Sequence, residues 1–438
     1  MSFSGIPYAE APVGPLRFKP PVPCKGWGGT RDFIVQENFG DEDCLFANIY
    51  TPECDGPLKP VLVWIHEGAF VVGSGSALLY GAHFFMDHDI VLVTFNYRLG
   101  VLGFLNLDLE DAAGNMGMKD QVLLLKWVQK EIKNFGGDPN NVTLGGSSAG
   151  GACVHHHMIS PMSRGLFHKA IAQSGTLPGE WAFMKHHQKI GFDLGKHLSF
   201  DAKNKEELLG HLMTVPAKQL IEVQDFSVSQ EKRFKGNDFA FLPSIETVGS
   251  DRFISSDPHE LIVSKNSIDV PFLTGVNLND GFLILQTIKD WPHMIKTLNT
   301  DLRFLFEDLV FPPSLTVEEI TKLANRIRRH YFREETIEYP KHFHDVFSKV
   351  CTSPPPQKKT ENKPHTNFSQ ELLRIAYCLM FFIQILHQIK RVSSNIVCDV
   401  LFCFNPNNLL SALDVPSIVE RSLWTFYHSG FICSMLHP

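Results

Sequence analysis

The pentapeptide Gly146-Ser147-Ser148-Ala149-Gly150 constrains this chain more than any other stretch, because of what stands on either side of it. Val142-Thr143-Leu144 is short and β-branched, as a strand is, and Gly151-Ala152-Cys153-Val154-His155-His156 runs on without breakers, as a helix does. A strand that turns at once into a helix forces its middle residue into a strained backbone, and flanking glycines leave room where side chains would collide. The pattern predicts a serine hydroxyl held out at the carboxyl edge of a sheet, with the N–H of Ala149 facing the same space. The glycines alone would fit an ordinary βα turn. Strand, turn and helix in register point instead to Ser148 as a nucleophile.

The rest of the chain supplies the sheet that such a turn needs. Pro60-Val61-Leu62-Val63-Trp64-Ile65-His66 and Asp89-Ile90-Val91-Leu92-Val93-Thr94-Phe95-Asn96 are continuous apolar runs, the signature of strands buried on both faces. Between Asn96 and Val142 the apolar residues Val122, Leu125, Val128, Ile132 and Phe135 keep helical spacing, with Lys126, Lys130 and Lys133 interleaved. Gly136-Gly137-Asp138-Pro139 ends that helix with a left-handed cap and a proline that blocks continuation. Further strands are expected at Ala170-Ile171-Ala172 and Val270-Pro271-Phe272-Leu273-Thr274, and residues 181–269 form a helical excursion over the sheet's carboxyl edge. The alternation predicts an α/β fold with a mostly parallel central sheet and helices on both faces.

A nucleophilic serine needs donors for an oxyanion, an acid and a base. His66-Glu67-Gly68-Ala69-Phe70 comes after the first strong strand, so the N–H groups of Gly68 and Ala69 can converge with that of Ala149 on one oxygen. Each such donor is worth roughly 3–4 kcal/mol in the transition state, although loop geometry alone also accounts for a glycine there. Asp280 lies beyond the strand ending at Thr274 and suits the acid, while Asn279-Asp280-Gly281 is equally a turn sequence. The base is the difficulty. His155, His156 and His157 sit on the helix after the turn and point to different faces, away from a triad position. His342, His344 and His365 fall in or near a proline-broken polar stretch. His387 closes the apolar run Ile375–Leu386 and is the candidate base if that run is a strand.

Composition removes several classes. A net charge of −7 gives no basic surface for nucleic acid, and the nine cysteines show no paired spacing for zinc or a disulfide scaffold. No cofactor is implied. The run Ile375–Leu386 is too short to cross a bilayer. The start lacks a secretion signal as written, so a cytoplasmic location is the default expectation, with secretion if the start is truncated.

Several further stretches carry a resemblance. Gly5-Ile6-Pro7-Tyr8-Ala9, Pro12-Val13-Gly14-Pro15-Leu16-Arg17-Phe18, Glu42-Asp43-Cys44-Leu45, Asn96-Tyr97-Arg98-Leu99-Gly100-Val101-Leu102-Gly103-Phe104, Lys119-Asp120-Gln121, Phe135-Gly136-Gly137-Asp138-Pro139, Ala172-Gln173-Ser174-Gly175 and Gly275-Val276-Asn277 resemble type-B carboxylesterases, the cholinesterase-like α/β-hydrolases, of the insect type. The resemblance runs to about residue 345 and implies one α/β-hydrolase domain over 1–438. It implies a serine esterase acting on a small-molecule ester through an acyl-enzyme. By it Ser148 is the nucleophile, Asp280 takes the acid's place, and Gly68, Ala69 and Ala149 form the oxyanion hole.

The chain also departs from that pattern. Glu67 stands where the family mostly has glycine, Ser147 where it commonly has glutamate, and Asp280 is one methylene shorter than the usual glutamate. Cys44 matches a disulfide cysteine whose partner segment is missing, with Cys24 as a substitute. Residues 351–397 do not match and are expected to be a poorly ordered insert. Val400–Phe404 resembles the family's stretch just after the catalytic histidine, yet Asn395-Ile396-Val397-Cys398 holds none. The alternative to an esterase, active or impaired, is therefore a non-catalytic relative that binds ligands or partners, or an inactive truncated product.

Overall fold

The computed structural model describes residues 1–26, 40–177, 180–185, 187–227, 239–263, 267–275, 291–305, 316–332 and 336. Seven strands among these form one sheet: β1 (Ser2–Pro7), β2 (Phe46–Tyr50), β3 (Lys59–Ile65), β4 (Val91–Phe95), β7 (Gly137–Ser147), β8 (Lys169–Gln173) and β9 (Phe272–Gly275). Their order across the sheet is β1-β2-β4-β3-β7-β8-β9, and a hairpin-like pair, β5 (Asn106–Leu109) and β6 (Ala112–Ala113), lies apart. β1 and β2 join antiparallel at one edge, and every pairing from β4 to β9 is parallel.

The two apolar runs are β3 and β4, and their alternation explains why neither shows a polar face. Val61, Val63, Ile65, Val91, Val93 and Phe95 enter the main core, while Leu62 and Leu92 join Tyr50, Ala82, Phe85 and Ile90 in a second cluster. Water reaches neither side, so both sets of side chains are apolar. Two short helices, α1 (His83–Met86) and α2 (Gly100–Phe104), stand before and after β4. The expected long helix is α3 (Met116–Glu131), continued by a 3-10 turn over Ile132–Phe135 and capped by Gly136 at φ 76°. It ends where the sequence places its stop, and β7 starts at once at Gly137. The strand expected at 270–274 begins two residues later, at Phe272.

Residues 181–269 hold the predicted helices, α5 (Gln188–His197), α6 (Lys205–Leu212) and α7 (Ala217–Gln224) among them. Polar anchors tie them down. Asp108, at the end of β5, accepts hydrogen bonds from Gln188 Nε2 (2.6 Å) and Thr247 Oγ1 (2.6 Å), with His187 Nε2 at 3.2 Å and Lys205 Nζ at 3.3 Å. Against the cost of burial, Thr247, Gln188 and His187 hold its carboxyl down at about 2. Asn115 grips Ser244 twice, donating to its carbonyl (2.7 Å) and accepting from its N–H (2.9 Å).

A buried ion pair fixes the turn after β4. Asp120 of α3, wholly buried, accepts from the N–H of Arg98 (3.0 Å) and from its guanidinium at Nε (2.8 Å) and Nη2 (2.7 Å). Arg17 makes a second two-pronged pair with Glu42 and donates to the carbonyls of Leu212, Met213 and Val215. Cys44 makes no disulfide, so the substitute pairing with Cys24 is not formed. Residues 351–397 lie outside the described residues.

Candidate active site

β3, β7 and β8 end side by side, and their register builds the site. Ile65 pairs with Gly146, and Ser147 pairs with Gln173. Each chain then leaves the sheet at the same carboxyl edge: β3 into His66–Phe70, β7 into Ser148.

Ser148 has φ 53° and ψ −119°, a conformation an L residue adopts only at a cost of order 1–3 kcal/mol. Its surroundings leave no other. Its N–H donates to Gln173 O (2.7 Å), and its carbonyl accepts from Ala152 N at the start of α4 (Ala149–Ile159) (2.9 Å). A Cβ on Gly175 would come within 1.9 Å of that carbonyl oxygen. A Cβ on Gly146 would meet the Gly150 carbonyl carbon at 2.5 Å, and one on Gly150 the Ile65 carbonyl oxygen at 2.1 Å. The glycines of the pentapeptide are therefore demanded by backbone on both sides. The serine is half-buried and reachable, and Ala149, fully buried, carries the first N–H of α4 at the positive end of the helix.

The loop after β3 turns left-handed three times in succession, at Gly68 (φ 120°), Ala69 (φ 55°) and Phe70 (φ 64°). Gly68 O accepts from Val71 N and Val72 N (2.9 Å each), and Phe70 O accepts from Gly100 N (2.6 Å). Three positive φ values in a row fold the chain back sharply as it leaves β3. A Cβ on Gly150 would also fall 2.9 Å from His66 O, so this loop lies against the start of α4. Gly68, Ala69 and Ala149 thus belong to two segments in contact at one sheet edge.

Glu67 leaves this backbone intact. Its side chain is exposed and accepts a hydrogen bond from the Tyr80 hydroxyl. His66, buried, stacks on Tyr97 with centroids 4.5 Å apart, and its Nδ1 lies 2.7 Å from Glu67 O. Burial pulls its pKa down to about 4.

The three consecutive histidines face three ways, as expected. His155 Nδ1 accepts from Leu177 N (3.1 Å). His156 Nε2 donates to Ala182 O (2.9 Å), and His157 bridges Ser163 Oγ (2.7 Å) and Gln121 Oε1 (2.9 Å). Burial lowers the first to about 4 and the other two to about 3, so all three are neutral structural groups. Among the described residues no three His, Cys, Asp or Glu side chains converge as metal ligands would, and no helix is long and apolar enough to cross a membrane. Asp280 and His387 lie outside the described residues. β9 ends beside β8, with Gly275 paired to Gln173, at the edge that carries Ser148.

The sequence did not disclose the tasks of Gly175 or of Gly73, where a Cβ would fall 2.4 Å from His66 Nδ1. Gly175 stands in a quoted motif, but its task of clearing Ser148's carbonyl needs the fold to be seen.

Comparison with known proteins matches the model described as the carboxylesterase family to residues 1–364. The chain is 37% identical over 360 residues to venom carboxylesterase-6 of Apis mellifera, covering 78% of this chain and 64% of that protein. It therefore spans somewhat under two thirds of that relative's length. It is 31% identical over 480 aligned positions to juvenile hormone esterase of Heliothis virescens, covering 99% of this chain and 81% of that one. Among solved structures it resembles juvenile hormone esterase from Manduca sexta with OTFP covalently attached, at TM-score 0.63 and 28% identity over 80% of this chain and 69% of that one.

Proposed function

The chain belongs to the carboxylesterase family and has its α/β-hydrolase fold, and on that premise we propose that it hydrolyses small-molecule carboxylic esters through an acyl-enzyme on Ser148. The observation that carries this reading is the strained backbone of Ser148, held beside the left-handed loop 68–70 at one sheet edge.

Ser148 Oγ attacks the ester carbonyl carbon as its proton passes to a base. The carbonyl oxygen gathers negative charge, and the N–H groups of Gly68, Ala69 and Ala149 receive it. Donors already fixed in place need no reorganisation as that charge forms, which is the source of their effect. Collapse breaks the ester C–O bond as the base returns its proton to the departing oxygen, which leaves an alcohol and an acyl-serine. Water, activated by the same base, attacks that ester and frees the acid. Asp280 orients the base. The described histidines near the site do not supply it: His66 and His155–His157 are committed to the contacts above.

A fluorophosphonate probe tests the reading, because capture requires an activated hydroxyl. Folded wild-type protein should label and S148A should not, with p-nitrophenyl butyrate hydrolysis lost in the same variant. Well-folded protein that neither labels nor hydrolyses esters would overturn the reading and leave the non-catalytic binding role.

A further inference from the structure

The carbonyl of Glu67 and the N–H of Gly68 belong to one peptide unit. A trans peptide is planar, with its C=O and N–H pointing in opposite directions. Whatever fixes the Glu67 carbonyl therefore fixes the direction of the Gly68 N–H. The group that meets this carbonyl is the ring of the preceding residue, His66, with Nδ1 at 2.7 Å.

A carbonyl oxygen can only accept, so the nitrogen facing it carries the ring's proton. The neutral ring then has the Nδ1–H tautomer, and its Nε2 is a bare acceptor, with no partner among the described residues. The ring cannot swing away. Tyr97 stacks on it with centroids 4.5 Å apart and planes at 22°. Gly73, at φ 117°, lies against the hydrogen bond itself: a Cβ there would fall 2.4 Å from His66 Nδ1 and 2.5 Å from Glu67 O. The Tyr80 hydroxyl holds the Glu67 side chain as well, so the residue that replaces the family's glycine is gripped through both its carbonyl and its carboxylate.

We propose that His66 is a positioning residue which, through the hydrogen bond from its Nδ1–H to the Glu67 carbonyl, aims the Gly68 N–H at the developing oxyanion. The inference rests on the reading of Ser148 as nucleophile and of Gly68 as a donor. His66 touches no reacting atom. Its effect is confined to the charge that forms in the transition state, so substrate binding is untouched.

The test compares two substitutions. His66→Phe keeps an aromatic ring for Tyr97 and removes the donor. His66→Asn puts an amide N–H near the position of Nδ1. Removal of an oxyanion donor costs roughly 100- to 1,000-fold in kcat; misdirecting one should cost H66F about tenfold to a hundredfold, with KM unchanged. H66N should recover most of that loss. H66F with wild-type kcat, or H66N as slow as H66F, overturns the proposal. A second measurement needs neither variant to be active. Nitrogen-proton correlation NMR of histidine-labelled wild-type protein, with His66 assigned by its absence in H66N, should show the proton on Nδ1. A proton on Nε2 overturns the proposal even if the esterase reading stands. Wild-type protein that fails to label with fluorophosphonate sinks the esterase reading, and with it the kinetic arm, while the tautomer remains decidable.

Discussion

Replacing Asp120 with alanine should strip a buried cation of its carboxylate partner in the turn after β4. Arg98 gives Asp120 three hydrogen bonds of 2.7–3.0 Å, and the two side chains are 3% and 0% exposed. Forming such a pair gains little over an apolar filling, because both charges lose their water. Breaking it costs about 3–5 kcal/mol, since Arg98 stays buried with no counter-charge, only the Lys19 carbonyl at 2.8 Å. That is a large share of the roughly 5–15 kcal/mol by which proteins are stable. With an unfolding entropy of about 2.1 cal/mol/K per residue, a 438-residue chain should lose about 4 °C in Tm. The damage should reach the site too, because Gly100, two residues after Arg98, donates to Phe70 O in the loop after β3. The assay is a urea or thermal melt of D120A beside R98M/D120A, with the fluorophosphonate labelling rate of each. The double variant removes the stranded charge and should recover at least half of the lost stability. A D120A melt within about 1 °C of wild type refutes the reasoning, as does a double variant no more stable than D120A.

Two further tests address the turn and the buried histidines. Gly150→Ala places a methyl 2.1 Å from Ile65 O; backbone there cannot yield, so the variant should melt several degrees lower and lose labelling, whereas Gly210→Ala, with open space around its Cβ, should still label. A G150A protein with wild-type labelling would show that β3 and α4 are not in contact there. Burial lowers His157 from an ordinary 6.5 to about 3; its neutral form thus stabilises the fold fully above pH 6.5, and that stability drains as pH falls toward 3. H157Q should show a smaller drop in urea midpoint between pH 8 and pH 5 than wild type, and equal drops would remove His157 as a cause.

The parts of the fold that the sequence made legible were those written in local pattern. β3 and β4 are apolar on nearly every residue because both faces are covered, and α3 announces itself by spacing and by the Gly136 cap. The turn at Ser148 was legible because its glycines answer to backbone contacts that any such turn must make. β1 and β2 were not foreseen. Ser2–Pro7 carries a glycine and a proline and an irregular register against β2, which erase the alternation a strand would show. The position of Phe272 as the first residue of β9 is set by the proline before it, which cannot donate to the ladder. Least legible were the partnerships across sequence: Tyr80 with Glu67, Tyr97 with His66, Asp108 with four residues from two distant segments. Each depends on chain paths that no window of residues contains.

Asp108 has an evolutionary corollary. One carboxylate moors residues 187, 188, 205 and 247, so the starts of α5 and α6 and the segment at Thr247 share one post. Their exposed faces can drift in sequence for as long as that post stands. Losing it would free two stretches of chain in one step, so change in this layer should come gradually at the helices and rarely at their mooring.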